Sequence, residues 1–167
     1  MKFGGLFCDY DGVLVDLNEG CQATIGHPIH HLPQKEWAIQ YNKNCNSVGF
    51  WANLPPMPDF GTLWGYIKYW SPSILTAYPQ SSTDSHIVAT KGKWEWNKKH
   101  TMVPESRFHC VQRQDKAKYA MSNGQPNVLI DDHEENIKEW DKAGGTGIHH
   151  TSAVSTIIQL KRLGFKK

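Results

Sequence analysis

Five short apolar runs alternate with helical patterns along this 167-residue chain, and that alternation restricts its fold more than any other feature. The runs lie at 3–8 (FGGLFC), 73–77 (SILTA), 108–111 (FHCV), 127–130 (NVLI) and, more weakly, 146–149 (TGIH). Each has the length and apolar character of a buried strand. Helical patterns cover about 84–99, where Ile87, Trp94 and Trp96 supply apolar contacts, and then about 116–122, 134–143 and 152–163. Asp132 and His133 lead into a Glu-rich first helical turn, and Gly144-Gly145 follows Ala143 as a stop. Strands alternating with helices predict an α/β fold, a parallel sheet covered on both faces.

Composition narrows the function. With 39% hydrophobic and 20% charged residues the chain is ordinary globular protein, which excludes wholesale disorder, collagen and coiled coil. A net charge of +2 is too mild to argue for stable nucleic-acid or membrane binding. No window approaches the roughly 18 apolar residues of a membrane span, and the N-terminal apolar stretch is too short for a signal peptide. Cys8, Cys21, Cys45 and Cys110 are widely spaced with no CxxC pair. Reduced thiols and a cytoplasmic location are therefore expected. Cys21 with His27, His30 and His31 matches no zinc spacing and reads as a polar, His-rich loop.

The chemistry-bearing residues cluster where the strands end. Asp9-Tyr10-Asp11-Gly12 follows the first run, Thr76 closes the second, Lys116 follows the third, and Asp131-Asp132 follows the fourth. Ligands of parallel α/β sheets bind at the carboxyl ends of the strands. Four carboxylates gathered there repel one another unless a cation offsets them, and a hard divalent ion such as Mg²⁺ suits oxygen ligands. A lysine and a threonine hydroxyl add donors for phosphate oxygens. Together these predict phosphoryl chemistry, with a carboxylate available as nucleophile. Lys91, Lys93 and Lys118 compete with Lys116 for the cationic role; an exposed helix lysine is ordinarily only solvated. A calcium loop would place its glycine at position 6, whereas Gly12 stands at position 4 of the acidic run.

Residues 17–70 break the rhythm, because a plain crossover needs far fewer residues. Long insertions of this kind are usually functional. The segment holds nine aromatic residues but only six charged ones, a rigid Pro55-Pro56-Met57-Pro58 turn, and a helix-like stretch at 60–69. Most of those rings are expected to form a small core of their own.

These residues also carry a family resemblance. DYDGVLVD resembles motif I (DxDGxLxD) of the haloacid dehalogenase superfamily, ILTAYP its motif II, Lys116 in QDKAKYA its motif III, and VLIDDHEENIKEW its acidic motif IV. More narrowly, FWANLPPMPDF, RQDK and LIDDHEENIKEWDKAGGTGI are similar to the 5′(3′)-deoxyribonucleotidases; the 17–50 region is not obviously alike. The resemblance implies a Rossmann-like core, 1–16 with 71–167, and a mainly helical cap at 17–70 inserted after the first strand. It implies Asp9 as nucleophile and Asp11 as general acid and base. Thr76, Ala77 and Lys116 would hold the phosphoryl group, with Phe50 and Trp51 before the LPPMP turn meeting the base. Mg²⁺ would be held by Asp9, the Asp11 carbonyl and Asp131, with Asp132 orienting its water shell or Lys116. Gly12 would allow the tight turn and Asp16 would brace it. The implied activity is hydrolysis of 5′- or 3′-deoxyribonucleoside monophosphates through an aspartyl-phosphate. A phosphatase for polynucleotide 3′-ends or sugar phosphates, and an inactive nucleotide-binding protein, remain open, as does a homodimer.

Overall fold

The computed structural model describes residues 3–27, 33–79 and 84–166. In chain order the elements are β1 (Leu6–Cys8), α1 (Leu17–Ile25), α2 (Gln34–Asn44), α3 (Val48–Ala52), α4 (Phe60–Ile67), β2 (Ser73–Ala77) and α5 (Ser85–His100). There follow β3 (Phe108–Val111), β4 (Met121–Ser122), β5 (Gln125–Pro126), β6 (Val128–Asp131), α6 (Glu134–Lys142), β7 (Thr146–His149) and α7 (Ala153–Leu163). Five of the strands form one parallel sheet in the order β3-β2-β1-β6-β7. The chain moves outward from β1 to β2 and β3, then crosses to the other side of β1 for β6 and β7. That reversal puts the topological switch point beside β1, where a crevice opens at the strand ends.

Alternation along the strands divides the core into two layers. Leu6, Cys8, Ile74, Val128 and Ile130 join a cluster with Leu63 and Ile67 of α4, Trp96 of α5 and Leu160 of α7. Phe7, Leu75 and Leu129 face the other way, onto Ile137 and Trp140 of α6. Both faces are covered, as the apolar runs predict.

The helix expected at 116–122 is replaced by a 3-10 helix, Arg113–Tyr119, followed by the antiparallel β4–β5 ribbon. Asn123 and Gly124 both take positive φ (51° and 74°), the two-residue geometry that closes a tight hairpin. Within 17–70 the parts behave differently. Helix α4 packs against α7 and serves as the crossover from β1 to β2, and the Tyr66 hydroxyl donates to the Phe165 carbonyl. Helix α3 instead lies on α5, where a Cβ added to Gly92 would come 2.3 Å from Trp51 Cβ. Asp16 caps α1, accepting from the Glu19 amide at 2.9 Å. The proline turn runs back alongside the loop after β1: Asp16 N donates to Pro55 O (2.8 Å) and Met57 N to Leu14 O (2.9 Å). Among the described residues, no helix is long and apolar enough to cross a membrane. All four cysteines are free thiols; His30 and His31 lie outside the described residues.

Candidate active site

Asp9 directly follows the central strand β1 and is 5% exposed. Its Oδ1 accepts from the Tyr10 amide at 2.8 Å and lies 2.9 Å from Lys116 Nζ, so both donors hold one oxygen and leave Oδ2 toward the crevice. Asp131, at the end of the neighbouring strand β6, is fully buried and held more completely. Its Oδ2 accepts from Lys116 Nζ at 2.8 Å and from Asn136 Nδ2 at 3.0 Å. Its Oδ1 accepts from the His133 amide at 2.8 Å and from Asn136 Nδ2 at 3.0 Å. Asp132 stands at the exposed rim with its carboxylate against Gly12, where a Cβ would meet its Oδ2 at 2.1 Å. Gly12 has φ +74°, so both its conformation and its space require glycine.

The electrostatics follow from this crowding. Loss of water and the Asp131 charge push the Asp9 pKa well above the usual carboxylate value, against the pull of Lys116. Desolvation and Asp131 likewise raise Asp132. Burial works against the Lys116 ammonium, but Asp9 and Asp131 outweigh it and hold its pKa above the ordinary lysine value. Asp9, Asp131 and Asp132 can bring carboxylate oxygens within 4.8 Å of one another. One ammonium among three carboxylates leaves negative charge over, and an all-oxygen donor set of this kind fits a hard divalent cation.

A cavity of about 650 Å³ opens over the group, lined among others by Asp9, Asp11, Leu17, Met57, Ala77, Arg113, Lys116 and Asp132. The sequence-predicted residues Asp9, Asp11, Ala77, Lys116, Asp131 and Asp132 are thus brought together. Thr76 is different: it is fully buried, it is not among the lining residues, and its Oγ1 accepts from Lys93 Nζ at 2.8 Å. Phe50 and Trp51 are not among that cavity's lining residues either. Trp51 is 2% exposed, with the Tyr41 and Phe50 rings edge-on at 6.3 and 5.4 Å and Gly92 at its Cβ.

Two contributors escaped sequence reasoning. Asn136 donates to both oxygens of Asp131, and its Oδ1 accepts from Arg113 Nη1 at 3.0 Å. Arg113 in turn makes a two-pronged pair with Glu139 at 3.0 and 3.1 Å. Lys93, set aside as solvated, is fully buried and lies 2.6 Å from Asp11 Oδ2. Its spacing with Ala89 and Trp96 on one face of α5 is the signal that could have found it.

A solved structure shares this fold. It is a protein described as a hydrolase from Streptococcus pneumoniae TIGR4, matched over 98% of each chain at a TM-score of 0.53 and 15% identity. At that identity the likeness concerns the fold. No protein-family model matches the chain, and no curated protein matches it by sequence.

Proposed function

We propose that the chain is a Mg²⁺-dependent phosphomonoesterase of the haloacid dehalogenase type, acting on 5′-deoxyribonucleoside monophosphates. The observation that carries this reading is Asp9 at the switch-point strand end, one oxygen held by Lys116 and Tyr10 N and the other given no hydrogen-bond partner among the described residues. Hydrolase action in a protein of similar fold accords with it. The 650 Å³ cavity is within the usual range for a small-molecule site.

In this reading Asp9 Oδ2 attacks phosphorus and forms the aspartyl-phosphate while the P–O bond to the nucleoside breaks. Asp11 gives a proton to the departing oxygen and later takes one from the water that cleaves the intermediate. Lys116 neutralises phosphoryl charge that develops between Asp9 and Asp131. Asn136 and His133 N keep Asp131 aimed. A divalent cation bound by Asp9, Asp131 and Asp132 would offset the charge of the phosphate oxygens. The Leu17 and Met57 side of the cavity is left for the nucleoside.

The test is a phosphate-release screen over nucleoside monophosphates, sugar phosphates and a 3′-phosphorylated oligonucleotide, with Mg²⁺ and with EDTA. Turnover of deoxynucleoside monophosphates that EDTA abolishes is expected. Release only from the sugar phosphates or the oligonucleotide would reject the substrate class, and release unaffected by EDTA would reject the cation.

A further inference from the structure

Lys93 presents the least expected arrangement in the molecule. It lies in the interior of α5 with no exposure to solvent, and burying an ammonium is costly unless every donor is met. Here each of its three N–H donors has an acceptor: Asp11 Oδ2 at 2.6 Å, Thr76 Oγ1 at 2.8 Å and the Ala77 carbonyl at 2.7 Å. Two rings flank the same ammonium, Trp51 with its centroid at 4.7 Å and Tyr10 at 5.0 Å. One charge therefore joins four segments: the loop after β1, the end of β2, helix α5 and, through Trp51, helix α3. Asp11 and Ala77 are the members of this set that line the cavity, and Asp11 alone of the two brings an ionisable side chain. Its Oδ2 is taken by Lys93, while its buried Oδ1 has no hydrogen-bond partner among the described residues.

We propose that Lys93 is a positioning residue that fixes the Asp11 carboxyl group at the wall of the crevice, and that Trp51 acts on Asp11 through Lys93. This rests on the phosphomonoesterase reading for its kinetics but not for its geometry. Trp51 thereby gains a role in place of base stacking: its ring covers the ammonium, so the seating of α3 on α5 is felt at Asp11. The close approach at Gly92, one residue from Lys93, sets how near Trp51 comes.

Lys93→Met, Trp51→Leu and the double variant test this through steady-state phosphate release from dUMP at saturating Mg²⁺. Lys93→Met is expected to lower kcat about 100-fold with KM within about threefold, the size of effect that misplacing a reacting group produces. Trp51→Leu is expected to lower kcat about tenfold, from loss of a desolvated cation–π contact. The double variant should be no slower than Lys93→Met, because the Trp51 side chain reaches Asp11 through Lys93, while the bond from the Tyr10 hydroxyl goes to the Trp51 backbone carbonyl and is kept in Trp51→Leu. Multiplying losses, or a raised KM at unchanged kcat, overturns the proposal. Crystal structures of Lys93→Met and Trp51→Leu give a second, activity-independent readout. Asp11 should be rotated from its present position in each, and an unmoved Asp11 overturns the proposal even if kcat falls. Should Lys93→Met not fold, the Trp51→Leu structure decides. If the unaltered protein releases no phosphate from any monoester, the functional reading fails, and the Asp11 position alone decides the role of Lys93.

Discussion

The strand-end crevice and the helices between β1 and β2 solve opposite problems. The crevice gathers Asp9, Asp131 and Asp132 around a single buried Lys116 and remains short of positive charge. The α1–α3 region gathers rings instead, with Trp37 stacked on Tyr41 at 4.9 Å and Tyr41 and Phe50 edge-on to Trp51. Charge repulsion leaves the crevice under strain, which a bound cation can relieve. The aromatic region is held together by ring packing. Lys93 is where the two meet, with an acidic partner on one side and Trp51 on the other.

The sharpest way to break this comparison is Asp9→Asn. Turnover should fall by at least about 10⁴-fold, as removal of a covalent nucleophile does, while circular dichroism stays that of the parent. In EDTA the variant should melt no lower than the parent. The Asp9 pKa is raised in the folded state, so ionising this carboxylate near neutral pH costs native stability that Asn does not pay. A lower melting temperature in EDTA would contradict the crowding argument.

Next in size is the cation itself. Mg²⁺ at about 100 times its Kd should stabilise the protein by about 2.7 kcal/mol, or about 5–11 °C in Tm for a chain of this size. Asp131→Asn should remove most of that shift, and an undiminished shift would place the ion elsewhere.

Gly92→Ala probes the other region. Its Cβ would meet Trp51 Cβ at 2.3 Å and the Val48 carbonyl at 2.7 Å, so overpacking should cost about 1–3 kcal/mol. Gly61→Ala on α4 has open space around it and should instead stabilise by up to about 1 kcal/mol through helix propensity. Equal Tm changes in the two variants would show that α3 and α5 are not in close contact.

The smallest expected effect is a pH dependence. His150 is buried beside Thr156 Oγ1 at 2.8 Å, and desolvation lowers its pKa in the folded state. The unfolded chain then takes a proton first as pH falls below about 6.5, so stability drops from that point toward the lowered folded value. His150→Gln should show a shallower decline of Tm between pH 7 and 5 than the parent. An unchanged slope would remove His150 from the account.

Much of this was legible locally. The strands at 73–77, 108–111 and 146–149 agree with their apolar runs to the residue, the first buried at its centre and the other two, at the sheet edges, only partly buried. Asp9, Asp131 and Asp132 were legible for a related reason: an acidic residue directly after such a run has to lie at a strand end. The ribbon at 121–126 departs from the helix expected at 116–122 because Asn123-Gly124, both at positive φ, close a hairpin that no helix can contain.

What the chain by itself determined is therefore the sheet, its two covered faces and the acids at its edge, because each depends on residues close together in sequence. Only tertiary structure decided which lysines serve those acids and which rings are spent on packing. Lys91 and Lys93 are two residues apart on one helix, yet Lys91 is exposed and Lys93 is enclosed by β2, Asp11 and Trp51. The difference lies in which face of α5 the sheet and α3 cover, and that is set by contacts between elements tens of residues apart. The same long-range packing turned Trp51 from an expected base platform into a cover for Lys93.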